Sequence, residues 1–152
     1  MPTDLDILRH VNNGIYLSLL DLARTDLLIR SGLAPRVRRR RWVAVVTAES
    51  IRFRRSLTIF QRFHVESRVV GWDDRNIYVD QRFIRGDELI ASALVAGRFL
   101  GPEGSVPPAA VLALAGLEEK DRPAMPEWAE RLAGAQQALA SSAIQEDPGP
   151  GV

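Results

Sequence analysis

The stretch "TDLDILRHVNNGIYLSLLDLAR", residues 3–24, decides how the rest of the chain is read. Two aspartates, a histidine and an Asn-Asn-Gly turn crowd together just ahead of a long apolar segment. Asn12 or Asn13 suits the N-cap of a helix, because a short side-chain amide accepts from the unpaired N–H groups of a first turn. The apolar segment itself, "GIYLSLLDLARTDLLIRSG" (14–32), has no internal proline and runs to Gly32, a residue fitted to the position after a helix, with Pro35 beyond. Ile15, Leu19, Leu20, Leu22, Ala23 and Leu27 wrap most of the way round such a helix. A helix this apolar is expected to be largely buried. About 18 residues give it a length of roughly 27 Å. One long buried helix in a small domain needs something wide to wrap it.

The chain downstream supplies that partner. "APRVRRRRW" (34–42) reads as a polar connector, after which the period changes from helical to alternating. In "ESIRFRRSL" (49–57) Ile51 and Phe53 alternate with Arg52 and Arg54. In "RFHVESRVV" (62–70) Phe63, Val65 and Val69 alternate with His64, Glu66 and Arg68. In "NIYVDQRFI" (76–84) Ile77, Val79 and Phe83 alternate with Tyr78, Asp80 and Arg82. These are half-buried strands of an antiparallel sheet with one solvated face. "GWDDRN" (71–76) and "RGDE" (85–88) are turns between them. "LIASALVAGRFL" (89–100) is longer and more apolar, as a strand covered on both sides should be. The fold class is therefore α+β: one helix, then four strands.

"GPEGSVPPAA" (101–110) breaks the pattern with three prolines and two glycines. Residues 108–116 and 127–142 suit short helices, and "EDPGPGV" (146–152) is expected to be disordered. The organisation is thus a domain over 1–101, followed by a Pro/Gly linker and an acidic, partly helical tail over 102–152.

The totals set limits on function. At 152 residues the chain is long enough for one domain with a real core. It has no cysteine, which excludes disulfides, thiolate metal sites and cysteine nucleophiles. Its two histidines, His10 and His64, make a histidine-rich metal site unpromising, and no metal or other cofactor is expected. No apolar run approaches the roughly 20 residues of a membrane span, and no basic, then apolar, signal stretch opens the chain, so a cytoplasmic location is expected. Residues 1–101 carry 17 arginines, no lysine and 11 acids, whereas 102–152 carry 3 basic and 8 acidic residues. A basic body suits an anionic partner.

The residues of the opening stretch go further. "DLDILRHVNNGIY" (4–16) resembles the Asp-x-Asp-x-x-x-His-Val-Asn-Asn-x-x-Tyr signature of the 4-hydroxybenzoyl-CoA thioesterase-like branch of the hot-dog superfamily, and the likeness continues through "YLSLLDLAR", the arginine-flanked first strand and the Gly-Trp-Asp turn, over residues 3–100. The resemblance implies an antiparallel sheet wrapped around one long central helix, hydrolysis of an acyl thioester of CoA or of an acyl carrier protein, and a homodimer or homotetramer. By position in the motif Asp6 matches the catalytic carboxylate and Asp4 a more structural acid. His10 matches a residue that assists in related enzymes. Such chemistry needs a nucleophile, or a base for water, together with donors aimed at the developing oxyanion. The amides near Asn13 and Gly14, at the positive end of a helix, suit the second task, and Tyr16 suits a wall of the acyl pocket. The bland alternatives are a solvated loop acid for Asp6, a structural histidine for His10 and a packing role for Tyr16. Asp21 and Arg24, three apart on the helix, suit an ion pair at a subunit contact.

Two departures from the pattern favour an alternative, a non-catalytic acyl-CoA-binding or regulatory module. Plant relatives have an asparagine where this chain has Leu8. A strand normally precedes the motif, but only three residues precede Asp4, so the first strand is expected to be absent or to lie upstream. Among the arginines, "RVRRRR" (36–41) reads as a solvated charged face, while Arg52, Arg54 and Arg55 suit the phosphates of CoA or the acidic surface of a carrier protein. Nucleic acid is not expected, because the aromatic platforms that stack bases are missing: Phe53 alternates inward and Trp42 is solitary.

Overall fold

A computed structural model describes residues 13–54 and 62–146, with side chains over 20–54 and 62–142. Helix α1 spans Asn13–Arg30. Its C-terminal end behaves as the sequence requires. Gly32 takes a positive φ of 76°, and its N–H donates to the Ile29 carbonyl at 3.1 Å while that of Ser31 donates to Leu27 at 3.0 Å. The expected first strand falls ahead of residue 13, outside the described residues.

The stretch 34–42 is not simply a connector. Ala34–Arg39 form a short helix, α2. Arginine is a good helix former and Pro35 sits in the first turn, where a missing N–H is harmless. Val37, its one branched apolar residue, is buried against Trp72, Phe99, Val111 and Leu112. Trp42 is not solitary either. It joins that cluster and lies 5.6 Å beneath the Arg40 guanidinium.

The strands are β1 (Val43–Phe53), β2 (His64–Trp72), β3 (Ile77–Arg85), β4 (Glu88–Gly101) and β5 (Gly104–Val106). The sheet is antiparallel, in the order β1-β4-β3-β2, with β5 paired to the end of β4. The strand of the linker region, β5, escapes a pattern reading because it is three residues long and set among glycines and prolines. Beyond it come helices α3 (Pro108–Leu114) and α4 (Glu127–Glu146), close to the expected spans.

The register sorts side chains onto two faces. Phe83, Ala91 and Ala93 face α1 and bury Leu20 together with Ile51, Phe63 and Val65. Phe63 and Phe83 meet with ring centroids 5.7 Å apart. Tyr78, Leu94 and Ala96 face the other way, against Ala129 and Leu132 of α4. That second face is not solvated as the alternation implies. Tyr78 is fully buried and Asp80 is 5% exposed, because α4 lies on it through small residues that allow close approach. The central strand β4 is covered on both sides, as its composition requires.

The helix departs from expectation. Within residues 20–30 only Leu20 is fully buried, while Leu22 is 67% and Ile29 59% exposed. The sheet does not close around α1. The helix rests mainly against the edge strand β2, so a single chain covers one side of it. None of the described helices is long and apolar enough to cross a membrane.

The turn between β2 and β3 is held by one carboxylate. Asp73 accepts from the amides of Arg75 and Asn76, both at 2.8 Å, and from the Tyr78 hydroxyl at 2.7 Å. Burial pushes the Asp73 carboxyl up, but these three donors and nearby Arg122 outweigh it and hold the group below the usual carboxylate range. Burial, and then the carboxylate it donates to, push the Tyr78 phenol above its ordinary range, so it stays a donor. A carboxyl whose pKa is depressed on folding adds stability above its unfolded value, and that stability is lost as pH falls through the folded value. Asp73→Asn is therefore expected to cost about 1–2 kcal/mol near neutral pH. The difference from wild type should narrow as pH drops below about 4. Urea titrations near neutrality and near pH 3 check this; an equal difference at both would show that the charge is irrelevant.

Candidate active site

Helix α1 begins at Asn13, and Asn12 lies outside the described residues. The amides of Asn13, Gly14 and Ile15 therefore belong to the first turn, where N–H groups have no acceptor within the helix and the dipole end is positive. These are the donors that an oxyanion needs. Asp6 and His10 lie outside the described residues, as does Arg55. For Tyr16 the backbone is placed, in the first turn and a half of α1.

What holds α1 in place is a buried polar knot that spacing arguments did not single out. Gln81, at the middle of β3, is fully buried. Its amide nitrogen donates to the Leu20 carbonyl at 3.1 Å and to the Ser67 hydroxyl at 2.9 Å. Its amide oxygen accepts from Arg24 at 2.6 Å. The same guanidinium nitrogen reaches Glu49 of β1 at 3.2 Å, and the other pairs with Asp21. The expected Asp21–Arg24 ion pair thus exists, and its arginine serves within the chain by joining α1 to two strands. Ser67 and Gln81 face one another directly in the register. Through this knot the helix touches β1, β2 and β3 at fixed depth, and its first turn is fixed with it. A signal was present: Glu49, Ser67 and Gln81 all fall in the inward phase of otherwise apolar alternations.

The other candidates are not brought to α1. Arg52 projects from the face of the sheet opposite α1, into a groove lined also by Arg82 and Arg131. Arg54 is exposed just past β1, its amide donating to the Ile90 carbonyl at 2.8 Å. His64 pairs with Glu66 at 3.2 Å on an exposed stretch of β2.

Residues 1–133 match the family model described as the thioesterase-like superfamily. The chain belongs to that superfamily. Its fold is the hot-dog fold, with the sheet left open. A gentisyl-coenzyme A thioesterase, BH1999, superposes with a TM-score of 0.66 at 16% identity, covering 76% of this chain and 93% of that one. The 1,4-dihydroxy-2-naphthoyl-CoA thioesterase Slr0204 from Synechocystis superposes with a TM-score of 0.62 at 17% identity, covering 74% and 87%. Such identities speak for the fold alone. In sequence, this thioesterase-like chain is 44% identical over 82 residues to Protein THEM6 of Drosophila melanogaster, covering 53% of this chain and 42% of that protein. It spans under half the length of the THEM6 proteins it matches. The motif resemblance over residues 3–100 is accordingly confirmed at the level of the superfamily.

Proposed function

We propose that this thioesterase-like protein hydrolyses an acyl-CoA, or the corresponding acyl carrier protein thioester, to a free acid and a thiol. The observation that carries the reading is the start of α1 at Asn13, the last residue of the Asp-x-Asp and His-Val-Asn-Asn motif, on a helix fixed to the sheet through Gln81 and Arg24. The thioester carbonyl lies against the amides of Asn13 and Gly14. Asp6 either attacks it, with loss of the thiolate and later hydrolysis of the anhydride, or removes a proton from the attacking water. His10 assists, Tyr16 walls the acyl group, and Arg54 and Arg55 meet phosphates of the CoA arm. The active species is a homodimer: Leu22 and Ile29 stand exposed on α1, and among the described residues β1 and β2 each offer an unpaired edge over most of their length.

The test is release of free thiol from a panel of acyl-CoAs varied in chain length and aromatic character. Turnover of at least one above the uncatalysed background is expected. Leu8, in place of the asparagine of plant relatives, favours the second reading, an acyl-CoA-binding module; saturable binding without turnover of any panel member would replace the first reading with it.

A further inference from the structure

The face of the sheet turned away from α1 carries a row of side chains that the thioester chemistry does not use. Arg52 of β1, Ser92 of β4 and Arg82 of β3 lie directly opposite one another across three strands. Neighbouring strands are about 4.8 Å apart, so two guanidinium stems rise on either side of a small hydroxyl. The next row is Ser50, Leu94 and Asp80. Above both rows α4 contributes Trp128, Arg131 and Leu132, closing a groove of about 520 Å³. That volume falls within the range of small-molecule sites.

The charges in the groove do not balance. Three arginines line it against one aspartate. Asp80 is already engaged, by Arg68 at 3.4 Å and Arg82 at 3.2 Å, and Arg131 pairs with Glu127. Among the described residues the Arg52 guanidinium has no acidic or hydrogen-bonding partner. Arg52 and Arg82 thus stand astride a serine, two strand spacings apart, and of the two only Arg82 has an acid beside it among the described residues. Trp128, on the rim, is 42% exposed and offers a flat apolar surface beside this cationic slot.

We infer that this groove binds a phosphate ester with a planar aromatic body. The phosphate lies between the forks of Arg52 and Arg82 and accepts from the Ser92 hydroxyl, and the ring rests on Trp128 and Leu132. With Arg82 paired to Asp80 and Arg131 to Glu127, Arg52 is the cation left over, and the guanidinium fork matches phosphate oxygens in pairs. The sheet separates this groove from α1 of the same chain, so the site stands whether or not the chain hydrolyses thioesters. The ligand comes from one of two sources with the same chemistry: the nucleotide end of a CoA molecule, or a separate nucleotide.

Calorimetric titration of the whole chain at low salt with adenosine 3′,5′-bisphosphate tests the inference, with adenosine as the phosphate-free probe. Saturable binding of the bisphosphate and none of adenosine is expected. Arg52→Ala should weaken binding by about tenfold or more, and Trp128→Ala should weaken it too. Arg39→Ala, which removes an exposed cation of α2 outside the groove, should leave it unchanged. Displacement of the bisphosphate by CoA would identify the source as CoA; retention in the presence of CoA would identify a separate nucleotide. Absence of saturable binding, or equal binding by wild type and Arg52→Ala, would overturn the proposal.

Discussion

Asp6→Asn should reduce thiol release from the best acyl-CoA by a factor of about a hundred or more, the scale of a lost catalytic base. Asparagine keeps the size of the side chain and its capacity to accept a hydrogen bond. It has no negative charge, so it neither takes a proton from water nor attacks a carbonyl. The helix amides are untouched by the change, and a residual rate from their polarisation of the thioester should persist. Because binding of the acyl chain and the CoA arm is also untouched, the loss belongs in kcat with KM nearly constant. The check is steady-state thiol release by both proteins, with thermal unfolding of each as a control for folding. Equal rates would remove Asp6 from the mechanism and leave the helix end acting on a water positioned by other groups.

The second large effect is structural. Gln81→Leu is expected to lower the unfolding free energy by about 3 kcal/mol, from one charge-assisted and two neutral hydrogen bonds lost at a site where water does not replace them. Leucine fills much the same space, so little of the loss is a cavity. Arg24 keeps Glu49 and Asp21, but it loses the acceptor that fixes its depth against β3. Urea unfolding with an unchanged slope measures the loss directly. A double-mutant cycle with Arg24→Met separates the knot from two independent sites. Coupling of about 1 kcal/mol or more marks one network, and additive effects would show that the helix and sheet are held by apolar contact alone.

Much of this architecture was legible in the chain because its periods are clean. The uninterrupted apolar segment after Asn13 and the glycine at 32 gave α1 nearly to the residue. Inward Ile51, Val65, Val79 and Phe83 gave three of the long strands, and the apolar run 89–100 gave the fourth. The errors share a physical cause, which is that a period reports one neighbour at a time. The arginines of "RVRRRR" are solvated as expected, but the stretch is a helix and not a connector because its single Val37 finds Trp72 and Leu112. Tyr78 and Asp80 look like an outward face until α4, itself rich in small residues, lies on them. The wrapping of α1 was overestimated for the same reason, since Leu22 and Ile29 need more surface than one open sheet supplies. Of the site, the motif located the helix end and its amides, while Asp6 and His10 lie where the structure describes nothing. Gln81 was passed over although its phase, between Val79 and Phe83, points it inward. A polar residue in an apolar phase is a stronger sign than any of the surface arginines.

The position of β4 also dictates how the chain can assemble. β2, β3 and β4 follow one another as adjacent hairpins, so their pairing closes only short loops. Among the described residues β1 pairs with β4 alone, and Val43 must find Leu100 across the whole intervening chain. During synthesis the segment holding α1 and β1 leaves the ribosome ahead of β2, β3 and β4, and the strand that β1 pairs with emerges only with residues 88–101. The longest closure among the strand pairings therefore falls on the strand that carries Glu49 and Arg52, and β1 is expected to join after the β2-β3-β4 meander.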